Sequence, residues 1–579
     1  MKKYLPYAKK YWYSFLLGPF FMVLESCGEF ILPYINANII DKGAANGDVN
    51  YILTNGLYMV LLAVFMMITG ILGANFAIRG SVRLAAGIRR DVFKKIQTFS
   101  FTNIDDFTTG SLITRITNDV TQVQNFCGTL LRGMFRAPVM LIGALVMSFT
   151  LSTKLAWVIF FIMPVLAISI FTIIKTASPR YTKMQSALDS LNNGIGETVT
   201  NEKVIKSFVR EEYEIERFDK KSSQLREKSM SALKVMLFMQ PVSALAINVA
   251  TLIVVWIAGR PIMVGDMTIG TLTAFITYLS QVLMALNFLA NIILQGTRAA
   301  ASDRRISEVL SADVDLTDEA AIAPAVEVTE GSVEFKNVTF RYFKKNKEKV
   351  LDNVSFKING GELVGIIGST GSGKTTLVSL IPRLYDADEG EVLIDGRAVK
   401  DYTLFNLRER IAMVLQKNTL FAGTVAENLR WGNANATEEE IRHAARVACA
   451  DSFISGFEDG YETEIGRGGS RLSGGQKQRV CIARALLKNP KIIILDDSTS
   501  AVDTATDASI RHAFREELPG VTKIIIAQRI NSVIDADKII VIDEGRVVGI
   551  GAHSELIKSC EEYREIYYSQ KDGKEEDRD

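Results

Sequence analysis

Six long apolar stretches fill the first half of the chain, at roughly 12–40, 55–78, 128–151, 155–175, 235–258 and 269–295. Each is close to the ~20 residues a helix needs to cross a bilayer. The pattern therefore predicts a membrane domain over residues 1–310 built on six spanning helices. Lys and Arg set its orientation. Lys2, Lys3, Lys9 and Lys10 precede the first stretch; Arg79, Arg83, Arg89, Arg90, Lys94, Lys95 and Arg115 follow the second; and 175–234 is rich in both residue types. These regions belong inside, and the short connections at 41–49, 152–154 and 259–268 belong outside, so both termini are cytoplasmic. The two long inner connections are helix-like and lack breaker clusters, so the helices should run well past the bilayer. No small-residue cleavage site follows the first stretch, which reads as a retained span rather than a signal peptide.

Residues 311–331 are acidic and Ala-rich with no apolar period, which marks a linker. From Ser332 the pattern changes. Val333-Glu334-Phe335 and Val338-Thr339-Phe340 alternate as strands, and Leu363-Val364-Gly365-Ile366-Ile367 and 491–495 read as fully buried strands. A second, α/β domain is expected over 332–568, followed by a charged, disordered tail at 569–579.

Composition adds limits. A chain of 579 residues exceeds one compact domain, and 48% apolar content suits membrane and soluble parts on one chain. A net charge of +1 argues against a nucleic-acid partner bound through bulk charge. The five Cys, at 27, 127, 449, 481 and 560, are odd in number and scattered without CxxC or metal spacing, which fits a reduced cytosolic face.

The strand at 363–367 runs straight into Gly368-Ser369-Thr370-Gly371-Ser372-Gly373-Lys374-Thr375-Thr376 and then an apolar helix. This is GxxxxGK[ST] in its strand-to-helix context. The glycines let backbone N–H groups wrap phosphates, and the helix N-terminus adds a favourable dipole. Lys374 reaches the β- and γ-phosphates and Thr375 ligates Mg²⁺. A second apolar strand ends in Asp496, which completes the metal shell. ATP and Mg²⁺ are the cofactors read from these residues.

Leu472-Ser473-Gly474-Gly475-Gln476, followed by Lys477-Gln478-Arg479, narrows the family. The chain resembles the ATP-binding cassette (ABC) transporters of the exporter type. The resemblance extends from the first span to about Tyr568. It implies a six-helix α-helical membrane domain fused to an α/β P-loop NTPase cassette. It implies that Tyr342 stacks on adenine, that Gln416 contacts Mg²⁺, and that Ser500-Ala501-Val502-Asp503 forms the D-loop. It implies that Ser473, Gly474, Gly475 and Gln476 face the γ-phosphate held by an opposite subunit. The segments Phe107-Thr108-Thr109-Gly110-Ser111 through Asp119, and Asn201-Glu202-Lys203-Val204-Ile205-Lys206-Ser207-Phe208, resemble the cytoplasmic loops that couple spans to cassettes. Arg467-Gly468-Gly469 stands where the family's X-loop often starts with Glu.

Two positions depart from the family pattern within its ATP site. Asp497 follows Asp496 where the family has the general-base Glu, and Gln528 in Ile526-Ala527-Gln528-Arg529 replaces the γ-phosphate-sensing His. A positioned carboxylate must orient the attacking water. Asp is one methylene shorter than Glu, and a misplacement of about 1 Å can cost ~10²-fold. Gln donates a hydrogen bond but cannot become cationic. The chain is therefore expected to hold ATP and to hydrolyse it poorly at its own site. It would donate 473–476 to a second half-transporter that carries the intact Glu and His, as in the bacterial multidrug heterodimers.

Polar residues within the spans are candidates for the cargo path. Glu25 and Glu29 lie four apart and share a helix face; they either line a cavity favouring cationic or amphipathic cargo or bond to neighbouring helices. Gln240 with Asn248, and Asn287, Asn291 and Gln295, form stripes that line a path or bond helix to helix. The expected protein is a multi-pass exporter of the bacterial cytoplasmic membrane. Uptake of siderophores or metal chelates, peptide export and an ATP-gated regulatory channel are the alternatives; the six spans exclude a soluble ABC protein.

Overall fold

The computed structural model describes residues 4–319, 321, 326–342, 348–497 and 503–572. The chain divides into two compact units, one of 1–97 with 109–312 and one of 98–108 with 313–579.

The first unit holds six helical runs long and apolar enough to cross a membrane: Trp12–Ala44, Val49–Gln97, Thr109–Leu151, Thr153–Thr200, Glu211–Val264 and Ile269–Leu310. The second, at 49 residues, is roughly 73 Å long at 1.5 Å per residue. The hydropathic windows thus located the spans but not the helix lengths, which extend into the charged connections as expected. Gly265, at φ 88°, ends the fifth run, and Thr268 caps the sixth by accepting from the Thr271 N–H.

Proline shapes the interior of this unit. Pro33 has no N–H to donate to the Glu29 carbonyl four residues back. Gln281 Nε2, on the sixth run, donates to that carbonyl at 2.8 Å, and the Tyr278 hydroxyl donates to the next one, of Phe30, at 2.8 Å. In the third run the helix breaks at Met134 and Phe135 and restarts at Arg136, with Pro138 in the first turn, where a missing N–H costs least.

The turns of the two long connections differ from expectation in one respect. The short helix of the first loop is Phe101–Phe107, just before the segment singled out in the sequence. Ser100 and Asn103 form a reciprocal capping box at its start, and Thr108, at φ 53°, ends it. Residues 109–119 instead begin the third run. There buried Asp119 accepts from Arg305 Nε at 2.7 Å and from the Ser302 hydroxyl at 2.9 Å. The second loop forms the helix Glu202–Ser207 where expected.

Segment 98–108 belongs to the cassette unit because its side chains pack there. Phe101 lies 5.9 Å from the Tyr385 ring, the Tyr385 hydroxyl donates to Asp105 at 3.2 Å, and Asn103 donates to the Asp313 carbonyl. The linker is anchored to the same unit. Leu316 and Val328 are buried, and Asp318 accepts from the Leu404 N–H.

The cassette carries two sheets. One is antiparallel, in the order β2-β1-β4-β5: β1 Val333–Phe340, β2 Leu351–Ile358, β4 Glu389–Ile394 and β5 Arg397–Ala398. The two short strands read from the sequence are one strand, β1, with a register shift around Asn337. The other sheet runs β10-β9-β3-β8-β7-β6, with β3 Leu363–Ile367, β6 Ile411–Val414, β7 Ile492–Asp496, β8 Thr522–Ile526, β9 Lys538–Asp543 and β10 Arg546–Gly551. Strands β9, β3, β8, β7 and β6 are parallel. Both faces of such a sheet are covered, which is why β3 and β7 read as continuous apolar runs. The last helix among the described residues, Glu561–Asp572, takes in the first residues of the expected tail.

Candidate functional site

In a parallel sheet, ligands gather at the carboxyl ends of the strands. Here β3 leads to the phosphate loop, β8 to Gln528, β7 to Asp496 and Asp497, and β6 to Gln416. Because β8 lies between β3 and β7, these residues meet although they are spread along the chain from Gly368 to Gln528.

Two glycines make the loop possible. A Cβ at Gly368 would sit 1.9 Å from the Ile542 carbonyl, and Gly373 takes φ 97° at the start of the helix Lys374–Leu380. The Lys374 ammonium donates to the Gly368 carbonyl at 2.9 Å and the Ser369 carbonyl at 2.6 Å, and lies 3.4 Å from the Ser372 hydroxyl. Ser369 donates to Asp543 at 3.1 Å. Thr370 and Gly371 are exposed at the loop tip. The Tyr342 hydroxyl shares a 2.9 Å hydrogen bond with Thr376, and its ring meets Tyr385 edge-on.

Thr375 donates to Asp496 Oδ1 at 3.1 Å, while Asp496 Oδ2 is buried without a partner among the described residues. An orphaned carboxylate oxygen beside a threonine hydroxyl suits a hard cation. These residues fit Mg²⁺. Such an ion would be held by Thr375 and Asp496, with Gln416 at hand, and would neutralise charge on the substrate phosphates. Burial pushes the Asp496 carboxyl above its ordinary range, opposed by the Thr375 hydrogen bond. Burial likewise lowers Lys374, opposed by Asp496 and Asp497.

The two unusual positions bond to each other. Gln528 Nε2 donates to Asp497 Oδ2 at 3.0 Å. Asp497 sits at φ 48°, a left-handed conformation that Asp tolerates. Burial raises its carboxyl, opposed by a hydrogen bond from Gln416. Its carbonyl accepts from Gln478 Nε2 at 3.3 Å, so buried Gln478, on the helix Gly474–Leu487, ties that helix to the end of β7.

Ser473 and Gln476 cap that same helix: Ser473 Oγ accepts from the Gln476 N–H, and Gln476 Oε1 accepts from the Ser473 N–H at 2.9 Å. Their hydrogen bonds are local, and Gly474 and Gly475 form its first turn with N–H groups free of intrahelical partners. Of the expected D-loop, Ser500, Ala501 and Val502 lie outside the described residues; Asp503 caps the following helix. Arg467-Gly468-Gly469 forms a tight turn with φ 66° and 65° at its glycines.

In the membrane unit the structure brings Glu25 and Glu29 to one cation. Arg136 Nη1 lies 3.3 Å from Glu25 and Nη2 lies 2.7 Å from Glu29. The pair is thus bonded to a neighbouring helix, and one guanidinium serves two carboxylates. Gln295 accepts from the Thr129 hydroxyl at 2.8 Å, a helix-to-helix bond. Asn287 is half-buried, whereas Gln240, Asn248 and Asn291 are exposed. Arg136 was missed in the sequence; an Arg inside an apolar stretch, with Arg132 four residues before it, was the available signal.

The ABC transporter transmembrane region family matches residues 15–286, and the ABC transporter family matches residues 351–500. YfiB of Bacillus subtilis, an ABC transporter ATP-binding protein, is 37% identical over 98% of both chains. The chain belongs to the ABC transporter family. As an ABC transporter it is a multi-pass membrane protein that couples ATP hydrolysis to transport. An ATP-dependent lipid A-core flippase of Desulfotalea psychrophila is 32% identical over 96% of each chain. YgaD of Bacillus subtilis, named as a proposed multidrug export ATP-binding/permease protein, is 33% identical over 98% of each. A bacterial Atm1-family ABC exporter solved with ATP bound matches with a TM-score of 0.82 at 27% identity, over 96% of this chain and 99% of that one. The expected fold, six spans plus a cassette of the exporter type, is the observed one.

Proposed function

We propose that this chain is one half of a heterodimeric bacterial exporter, that its own ATP site is degenerate, and that its signature 473–476 completes the hydrolytic site of a partner carrying the intact Glu and His. The observation that carries the reading is the Gln528–Asp497 hydrogen bond. Asp497 is the shorter acid, and its Oδ2 is engaged by an amide that neither accepts nor relays a proton. Lys374, Thr375 and Asp496 retain everything needed to hold nucleotide. ATP then acts here as a clamp, stabilising the closed cassette pair, and hydrolysis at the partner's site resets the transporter.

The test is phosphate release by the purified full-length chain without a partner. Turnover should lie about 10²-fold below that of a homodimeric exporter with Glu and His, while ATP still binds. Turnover at the ordinary rate would refute the degenerate site.

We read the cargo as drug-like, amphipathic and cationic. Two carboxylates sharing one Arg136 leave a net negative charge in the membrane unit, which favours a cation nearby. Replacing Glu25 and Glu29 by Gln should lower transport of cationic dyes more than that of neutral cargo, with nucleotide binding intact. An equal fall for both cargo classes would make the pair structural, and no change would move attention to Asn287, Asn291 and Gln295.

A further inference from the structure

The switch position is held from behind by the helix Glu561–Asp572. Ala527 is still tied to the sheet, its N–H donating to the Ile366 carbonyl at 3.2 Å. Beyond it the chain leaves β8 as a loop. Gln570, in the last turns of the helix Glu561–Asp572, spans that loop with both ends of its amide. Its Nε2 donates to the Gln528 carbonyl at 2.8 Å, and its Oε1 accepts from the Ile530 N–H at 2.9 Å. The backbone dictates which end is which: a carbonyl needs a donor and an N–H needs an acceptor.

The helix is a firm base for this clamp. Tyr563 is fully buried, its hydroxyl bonded to His553 Nδ1 at 2.7 Å, and Ile566 and Tyr567 pack on the same core. Gln570 follows Ile566 by four and Tyr563 by seven, so it lies on the helix face that these residues anchor. A continuous path of hydrogen bonds then runs from Gln570 to Gln528 and from the Gln528 side chain to Asp497. A switch loop that drifts by an ångström carries the Gln528 amide off the carboxylate.

We propose that Gln570 is a positioning residue of this chain's own nucleotide site, fixing the switch loop so that Gln528 is aligned for the γ-phosphate. This rests on the reading of Gln528 as the switch position, and the test separates the two. The γ-phosphate is the only part of the nucleotide that the switch senses, so a loosened loop should weaken ATP and leave ADP unaffected. A merely structural role would weaken both.

The experiment measures ATP and ADP affinities, with Mg²⁺, for the full-length chain in lipid nanodiscs by displacement of a fluorescent nucleotide. Gln570→Met keeps the length and helix propensity and removes both hydrogen bonds. It should weaken ATP binding about three- to tenfold, the effect of one or two such bonds, with ADP unchanged. Amide exchange across 528–530 should speed up. Combining it with Gln528→Ala should add nothing, because both act on one contact. Gln570→Glu, which still accepts from Ile530 but sets a carboxylate oxygen against the Gln528 carbonyl, should give an ATP-specific loss at least as large and carries the test if the Met variant does not fold. An unchanged ATP-to-ADP ratio in the Gln570 variants, alongside a clear loss in Gln528→Ala, overturns the clamp alone. No change in Gln528→Ala overturns the switch reading and the clamp with it. Equal losses of ATP and ADP, or additivity in the double variant, reduce Gln570 to a packing residue.

Discussion

In the assembled transporter, Ser473→Ala or Gly475→Asp should lower ATP turnover by about 10²–10³-fold, while Asp497→Asn should leave it nearly unchanged. The asymmetry follows from where each group acts. Ser473 begins the helix Gly474–Leu487, whose first-turn N–H groups have no intrahelical acceptor. The Ser473 hydroxyl, whose oxygen accepts from the Gln476 N–H, keeps its own hydrogen to donate beside those groups; such a helix start suits the developing charge of a phosphate, and removing one donor costs on the order of 10²–10³ in rate. Gly475→Asp is an informative variant because an acid in the first turn favours the helix itself. The protein should fold, and a negative charge would stand where phosphate is expected. Asp497, already bonded to Gln528, has little rate to lose. Steady-state ATPase measurements on the three variants decide the matter. Equal losses would mean that this chain's own site is the working one.

Arg136→Gln should destabilise the membrane unit more than any other single substitution considered for the spans. Arg136 answers two carboxylates at once, at 3.3 and 2.7 Å. Removing it leaves two like charges within one turn of a helix, in surroundings where an unpaired ion is costly. Breaking a fully buried ion pair from one side costs about 3–5 kcal/mol, an upper figure for these part-buried groups, whereas replacing the whole set with uncharged groups is often tolerated. The triple replacement Arg136→Gln, Glu25→Gln, Glu29→Gln should therefore recover most of what Arg136→Gln loses. Thermal unfolding of the detergent-purified protein gives the measurement. A stable single variant, or a triple variant no better than the single one, would show that the three groups are not energetically coupled.

Much of the cassette was legible because its chemistry is local in the chain. A buried strand, a glycine loop and a helix start occupy 363–380 without interruption, so the loop, Lys374 and Thr375 followed from spacing. Hydropathy fixed the six spans for the same reason: crossing a bilayer demands a length of apolar chain, and length is a property of sequence. The departures at Asp497 and Gln528 were also visible, since each is a residue type in a slot whose chemistry calls for another.

Contacts between distant segments were not legible. That Gln528 bonds Asp497 depends on β8 lying between β3 and β7, which strand composition does not specify. Glu25 and Glu29 shared a face by their spacing of four, but only packing of the first run against the third revealed Arg136 as their common partner. Pro33 leaves the Glu29 carbonyl without its helical donor, and only the fold shows that Gln281, about 250 positions later, supplies the hydrogen bond instead. The first inner helix began at Phe101 rather than in the segment after it, because the Ser100 capping box and the left-handed Thr108 set its ends. The sequence by itself determined which groups this chain owns: a phosphate-loop motif, six membrane spans, and Asp497 and Gln528 in place of Glu and His. Tertiary structure alone decided which of them meet, because a hydrogen bond or an ion pair acts over about 3 Å and sequence separation carries no information on that scale.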